Sequence, residues 1–181
     1  GSPGSASILL ESQTEQFRFS PRLGGNWSGN GDTIGFVVDL PEGTNIGGKG
    51  AYSAADNCVG PTVQSSVNYY RDTALQKRLL IQDAAIPRGV SNLFTFLLGD
   101  AELDHSMVML GMGHDGGNGS VKKINGRWQV KWEGLKESAY RKMVFGEFER
   151  LAQAHGGRYK RLKAFGNNLV TVHPLGGCGM S

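Results

Sequence analysis

The chain has 181 residues, with 19 Lys and Arg against 16 Asp and Glu and a net charge of +3. That length suits one ordinary domain with its own core, and the scattered charge argues against a chain built around a basic nucleic-acid stripe. No apolar run is long enough to cross a membrane as a helix, and the two cysteines, Cys58 and Cys178, form neither a disulfide framework nor a zinc pattern.

The first segment, GSPGSASILLES, reads as a Gly/Ser turn entering a short helix over about 5–12. PRLGGNWSGNGD (21–32) is dense in turn residues. TIGFVVDL (33–40) is a strand ended by Pro41, and 41–60 is a glycine-rich loop. TVQSSVNYY (62–70) alternates with the period of a strand, and KRLLIQDAAI (77–86) is a further strand stopped by Pro87. VSNLFTFLLGDAE (90–102) places Leu93, Phe96 and Leu97 at helical spacing.

SMVMLGM (106–112) is a strand by length and flanks. In SVKKINGRWQVKW (120–132), Asn125-Gly126 supplies the two left-handed residues of a tight hairpin turn, and Trp128, Val130 and Trp132 share one face of the return strand. A long amphipathic helix is predicted over 135–155, with Tyr140, Val144, Phe148, Leu151 and Ala152 on its buried face and Gly156-Gly157 as its stop. RYKRLKA (158–164) and NLVTV (168–172) read as two last strands. The sum is an α+β fold: a mostly antiparallel sheet of about six strands with two or three helices on one side.

Glycine is over-represented, with 28 residues clustered at 24–31, 43–50, 111–119 and 176–179. Two of these clusters imitate phosphate loops. GMGHDG (111–116) has the G-x-G-x-x-G spacing, but more turn and then a strand follow it, where a dinucleotide fingerprint needs a helix N-terminus. GTNIGGKG (43–50) ends in Gly where a Walker A loop needs the magnesium-binding Ser or Thr. Neither carries phosphate chemistry. The basic clusters, Lys122-Lys123 and 158–163, read as solvated faces, and no nucleic-acid module accompanies them. His105 and His114 flank a strand and His155 closes the long helix, with no carboxylate at metal-ligand spacing, so no metal site is expected.

His173 stands apart. It follows an apolar run and precedes Pro174 and the Gly176-Gly177 pair, so it sits at the mouth of a glycine turn. An imidazole there is able to take a proton near neutral pH, and the paired glycines allow close approach of backbone to a flat or anionic partner. From spacing alone, a surface histidine on a turn is the commoner use of such a position.

HPLGGC at 173–178, followed by Gly179 and Met180, resembles the motif of the glucose-methanol-choline (GMC) flavin oxidoreductases, above all the cholesterol-oxidase-like branch. GSPGSASILLES is similar to that branch's Gly-Ser turn and helix, LGGNWSGNGD (23–32) to its crossover loop, and the segment from Val59 to Pro87 to the opening strands of its substrate domain. The resemblance implies a remnant of the FAD-binding domain and crossover loop at 1–31, a substrate-binding domain at 32–165, and a return strand with the HPLGG motif at 166–181. It implies oxidation of an alcohol, such as a sterol, by hydride transfer to FAD, with His173 as the catalytic base and Gly1, Ser2, Gly4, Pro174, Gly176 and Gly177 beside the cofactor. Glu102 is a looser counterpart of a substrate-side carboxylate, and Met107, Met109, Met112, Phe94 and Phe96 are candidates to line an apolar pocket. The family's upstream G-x-G-x-x-G and the polar residue downstream of HPLGGC are not in this sequence, so the expected partner is the remaining FAD-binding portion of the same protein, together with a small apolar alcohol and no nucleic acid. The alternative is a non-catalytic α+β binding or structural domain.

Overall fold

The computed structural model describes residues 2–44, 46, 63–71, 74–86, 103, 105–135, 138–161 and 170–179. Gly1, Cys58, Glu102 and the predicted helix at 90–102 with Phe94 and Phe96 lie outside them. The elements are α1 (Ser2–Glu11), β1 (Thr33–Val38), β2 (Ser66–Asn68), a 3-10 turn (Leu75–Lys77), β3 (Leu79–Ala84), β4 (Met107–Gly113), β5 (Ser120–Ile124), β6 (Arg127–Lys131), α2 (Ala139–Ala154) and β7 (Arg158–Lys160). The fold is α+β, as expected. One five-stranded antiparallel sheet runs β2-β3-β4-β1-β7, and the β5-β6 hairpin forms a separate two-stranded sheet.

Strand alternation sorts the main sheet into two faces. Val37, Leu79, Ile81 and Met109 lie under α2 with Tyr140, Val144, Phe148 and Ala152. Phe36, Val38 and Val108 point the other way, packed with Ile46, Ile86 and Leu103. The helix side is lined with glycine. A Cβ on Gly35 would stand 2.5 Å from the Phe148 ring, one on Gly111 2.5 Å from Val144, and one on Gly113 2.6 Å from the Tyr140 ring. The missing side chains let the bulky face of α2 settle directly on the strand backbones.

Local chemistry sets the ends of α2. Ser138 accepts a hydrogen bond from Arg141 N at 3.2 Å, so the helix begins at Ala139, later than the predicted 135. At the other end Gly156 has φ +73°, its N–H reaches Gln153 O at 3.0 Å, and Gly157 N–H reaches Ala152 O at 2.9 Å, the paired bonds of a Schellman cap. The hairpin turn also forms as read, with Asn125 and Gly126 at φ 50° and 75°. Its inner face joins Val121 to Trp128, Val130 and Trp132, packed on Trp27 and on Ala6 of α1.

Other expectations change as well. Helix α1 starts at Ser2 instead of about Ser5, because Pro3 falls in the first turn, where its missing N–H costs nothing. The strand predicted over 62–70 narrows to Ser66–Asn68, an exposed edge strand. Residues 158–164 yield only the three residues of β7 before the described segment ends. Within the strand predicted at 168–172, residues 170–172 are not paired in a sheet. Side chains from elsewhere in the chain take their polar groups instead.

Candidate functional site

Residues 171–178 dock on the segment 23–32, the loop that feeds β1. Ser28 and Leu175 exchange both backbone bonds, at 2.9 and 2.8 Å. Gly24 N–H reaches Gly177 O at 2.7 Å, and Gly177 N–H reaches Gly25 O at 3.2 Å. Ser2 Oγ donates to Gly176 O at 2.7 Å, which ties the start of α1 to the same turn. Gly176 and Gly177 have φ of +76° and +82°. A Cβ on Gly176 would fall 2.0 Å from Asn26 O, and one on Gly177 3.3 Å from Ala6. The close approach these two glycines permit is therefore to their own chain. Ser2 likewise engages Gly176 directly, whereas among the described residues nothing lies within 4 Å of the place a side chain on Gly4 would fill. Pro174 is half-buried between His173 and the bridge at Leu175.

Asp32 is the anchor of His173. Its side chain is fully buried, at 0% exposure. Oδ2 accepts from Val172 N at 2.7 Å and from His173 N at 2.9 Å, and lies 3.0 Å from Thr171 Oγ1. The imidazole Nδ1 sits 3.1 Å from Oδ1 and 3.2 Å from Oδ2. The His173 side chain nonetheless remains 49% exposed, so one ring edge is held and the other is open.

The loop carrying Asp32 is itself fixed by a second carboxylate. Asp115 accepts from Ser28 Oγ at 2.9 and 3.0 Å, from Gly29 N at 3.0 Å, from Gly31 N at 2.8 Å and from Gly117 N at 3.0 Å. Tyr140, at the start of α2, donates its hydroxyl to Gly31 O. Burial raises the Tyr140 phenol well above its ordinary range, and the negative charges of Asp115 and Asp32 push the same way, so the hydroxyl stays protonated and donating at alkaline pH.

The structure thus brings His173, Pro174, Gly176, Gly177 and Ser2 together at one turn. Glu102 and Gly1 lie outside the described residues. The methionine series divides by face: Met107 and Met109 pack under α2, while Met112 turns to the other side. There, with Leu80, Asn30, Tyr70, Leu75, Arg78 and His114, it lines an open cavity of about 400 Å³. Cys178 is a free thiol and is exposed. Sequence reasoning missed Asp32 and Asp115. Among the described residues no group of His, Cys, Asp and Glu is arranged to hold a metal, and no helix is long and apolar enough to cross a membrane. No protein-family model matches this chain, and no curated protein matches it.

Proposed function

We propose that this chain is part of an FAD-dependent oxidoreductase that oxidises an alcohol, with His173 at the reacting hydroxyl. The observation that carries the reading is the half-exposed imidazole of His173, with Nδ1 held by the buried Asp32 and the opposite ring edge open. A histidine that serves only as a surface residue needs no buried carboxylate behind it. The HPLGGC resemblance supplies the class of reaction.

The residues that would stand on one side of a flavin are the half-exposed His173 and the turn whose Gly176 carbonyl accepts from Ser2 of α1. The rest of the cofactor's contacts are assigned to the FAD-binding portion that the resemblance implies. A flavin bound there supplies the acceptor for a hydride from the alcohol carbon. The protein's own share is positioning and proton chemistry. The ring nitrogen facing away from Asp32 accepts the hydroxyl proton as the C–H bond breaks, and Asp32 bears the imidazolium that results. The docked turn keeps the ring from swinging, because 171–173 are bonded to Asp32 at three points.

The test is whether the protein, produced in its full natural reading frame, purifies with a flavin. The expected result is the visible absorbance of an oxidised flavin, with FAD released on denaturation. A colourless protein that takes up no added FAD would refute the reading and leave a binding or structural domain.

A further inference from the structure

We infer that Asp32 is a positioning residue that sets the proton on His173, holding the neutral ring in the Nδ1–H form so that Nε2 is its only acceptor. The inference deepens the oxidoreductase reading, since Nε2 is the atom that would face the substrate hydroxyl, but it rests on geometry that stands without a flavin.

A carboxylate offers acceptors only, so an imidazole nitrogen 3.1 Å from Oδ1 must bring the proton to that contact. Free neutral imidazole has no such constraint, and which nitrogen keeps the hydrogen follows from the bond the other one makes. The two oxygens of Asp32 divide the work. Oδ2 gathers the N–H groups of Val172 and His173, at 2.7 and 2.9 Å, and lies within reach of the Thr171 hydroxyl, which also reaches Gly29 O at 3.0 Å. The ring nitrogen lies 3.1 Å from Oδ1 and 3.2 Å from Oδ2, and among the described residues it is the one donor at Oδ1. Oδ2, already holding two backbone N–H groups, therefore fixes the backbone that carries the histidine, and the carboxylate edge, with Oδ1 the nearer oxygen, fixes its tautomer. Complete burial of the carboxylate denies it water as a competing donor.

This division makes Asp32→Asn a selective perturbation. An asparagine with its carbonyl in the place of Oδ2 keeps the bonds to residues 171–173. Its NH2 then occupies the place of Oδ1 and donates to Nδ1. The fold stays nearly intact while the tautomer inverts, with the proton moved to Nε2, and the ring loses its acceptor toward substrate.

The measurement is long-range 1H–15N correlation on 15N-histidine-labelled protein, at a pH where the rings are neutral, with the His173 signals assigned from His173→Gln. Wild type is expected to show Nδ1 as the protonated nitrogen and Nε2 as the bare one, and Asp32→Asn the reverse. Asp32→Ala, which offers neither donor nor acceptor, is expected to give a mixture. Wild type protonated at Nε2 would overturn the inference without recourse to any variant, as would Asp32→Asn that keeps the wild-type pattern. In flavin-loaded protein, Asp32→Asn is expected to slow flavin reduction by an alcohol on the order of 10²–10⁴-fold, the range for loss of a general base, with little change in alcohol affinity. An inverted tautomer in a protein that binds no flavin would sustain the role of Asp32 and refute only the oxidoreductase reading.

Discussion

Gly176→Ala tests the docking of the histidine turn more sharply than any substitution at the histidine itself. The added Cβ would stand 2.0 Å from Asn26 O, where real Cβ atoms essentially never come within 3.0 Å, so the turn must withdraw by about 1 Å. The position also has φ +76°, a left-handed conformation that costs a residue with a side chain roughly 1–2 kcal/mol. Withdrawal strains the four backbone bonds on either side, Ser28–Leu175 in both directions, Gly24–Gly177 and Gly177–Gly25. At about 0.5–1.5 kcal/mol each, losing all of them removes roughly 2–6 kcal/mol of local stability. The main sheet shares none of these bonds. Hydrogen exchange should therefore show the Leu175 and Gly177 amides opening at least about 100-fold more readily, while Val37 and Met109 in the sheet keep their protection. Protection of Leu175 and Gly177 within about threefold of wild type would refute the argument that the glycine is required by contact with its own chain.

Other consequences follow from the packing beneath α2. Gly111→Ala and Gly35→Ala each place a carbon 2.5 Å from a buried side chain of α2 and should lower stability by about 1–3 kcal/mol in urea melts. Tyr140→Phe removes one of the two hydroxyls that donate to the Gly31 carbonyl, Thr33 Oγ1 remaining at 3.1 Å, and should cost roughly 0.5–1.5 kcal/mol by the same assay; an unchanged midpoint would mean that the Thr33 bond suffices. Burial raises Tyr159 from the ordinary 10.0 to about 12, so above pH 10 the unfolded chain loses this proton before the folded one does. Stability should be complete below pH 10 and fall as pH rises toward 12, and Tyr159→Phe should flatten that decline. Because the Tyr159 hydroxyl is buried without a hydrogen-bond partner among the described residues, the same substitution should cost nothing at neutral pH.

Much of the fold could be read because local chemistry and tertiary packing agree. Asn125-Gly126 has a single good use, and the face of α2 that carries Tyr140, Val144, Phe148 and Ala152 is the face that is buried. The exceptions are places where distant groups override local preference. Leu169 to Val172 has the β-branched character of a strand, but the N–H groups of Val172 and His173 are claimed by Asp32, 140 and 141 positions away. Asp32 and Asp115 were hidden for the same reason. Each lies in a run of Gly, Asn and Ser where an aspartate is an ordinary turn residue, and nothing local distinguishes one that holds a turn from one that holds a histidine. The glycine series in β1 and β4 was visible as composition, but its purpose appears only when α2 is laid over it. His173 was legible through its motif, as was its place at a glycine turn; the carboxylate behind it was not.

The central claim is that the open edge of His173 takes the proton of an alcohol as a flavin takes the hydride. Its most direct measurement is anaerobic mixing of the flavin-bearing protein with a sterol alcohol, followed through the visible flavin band, in wild type and His173→Ala. Bleaching is expected in wild type, and in the variant an intact starting spectrum with bleaching slowed on the order of 10²–10⁴-fold. Equal rates in the two proteins would contradict it.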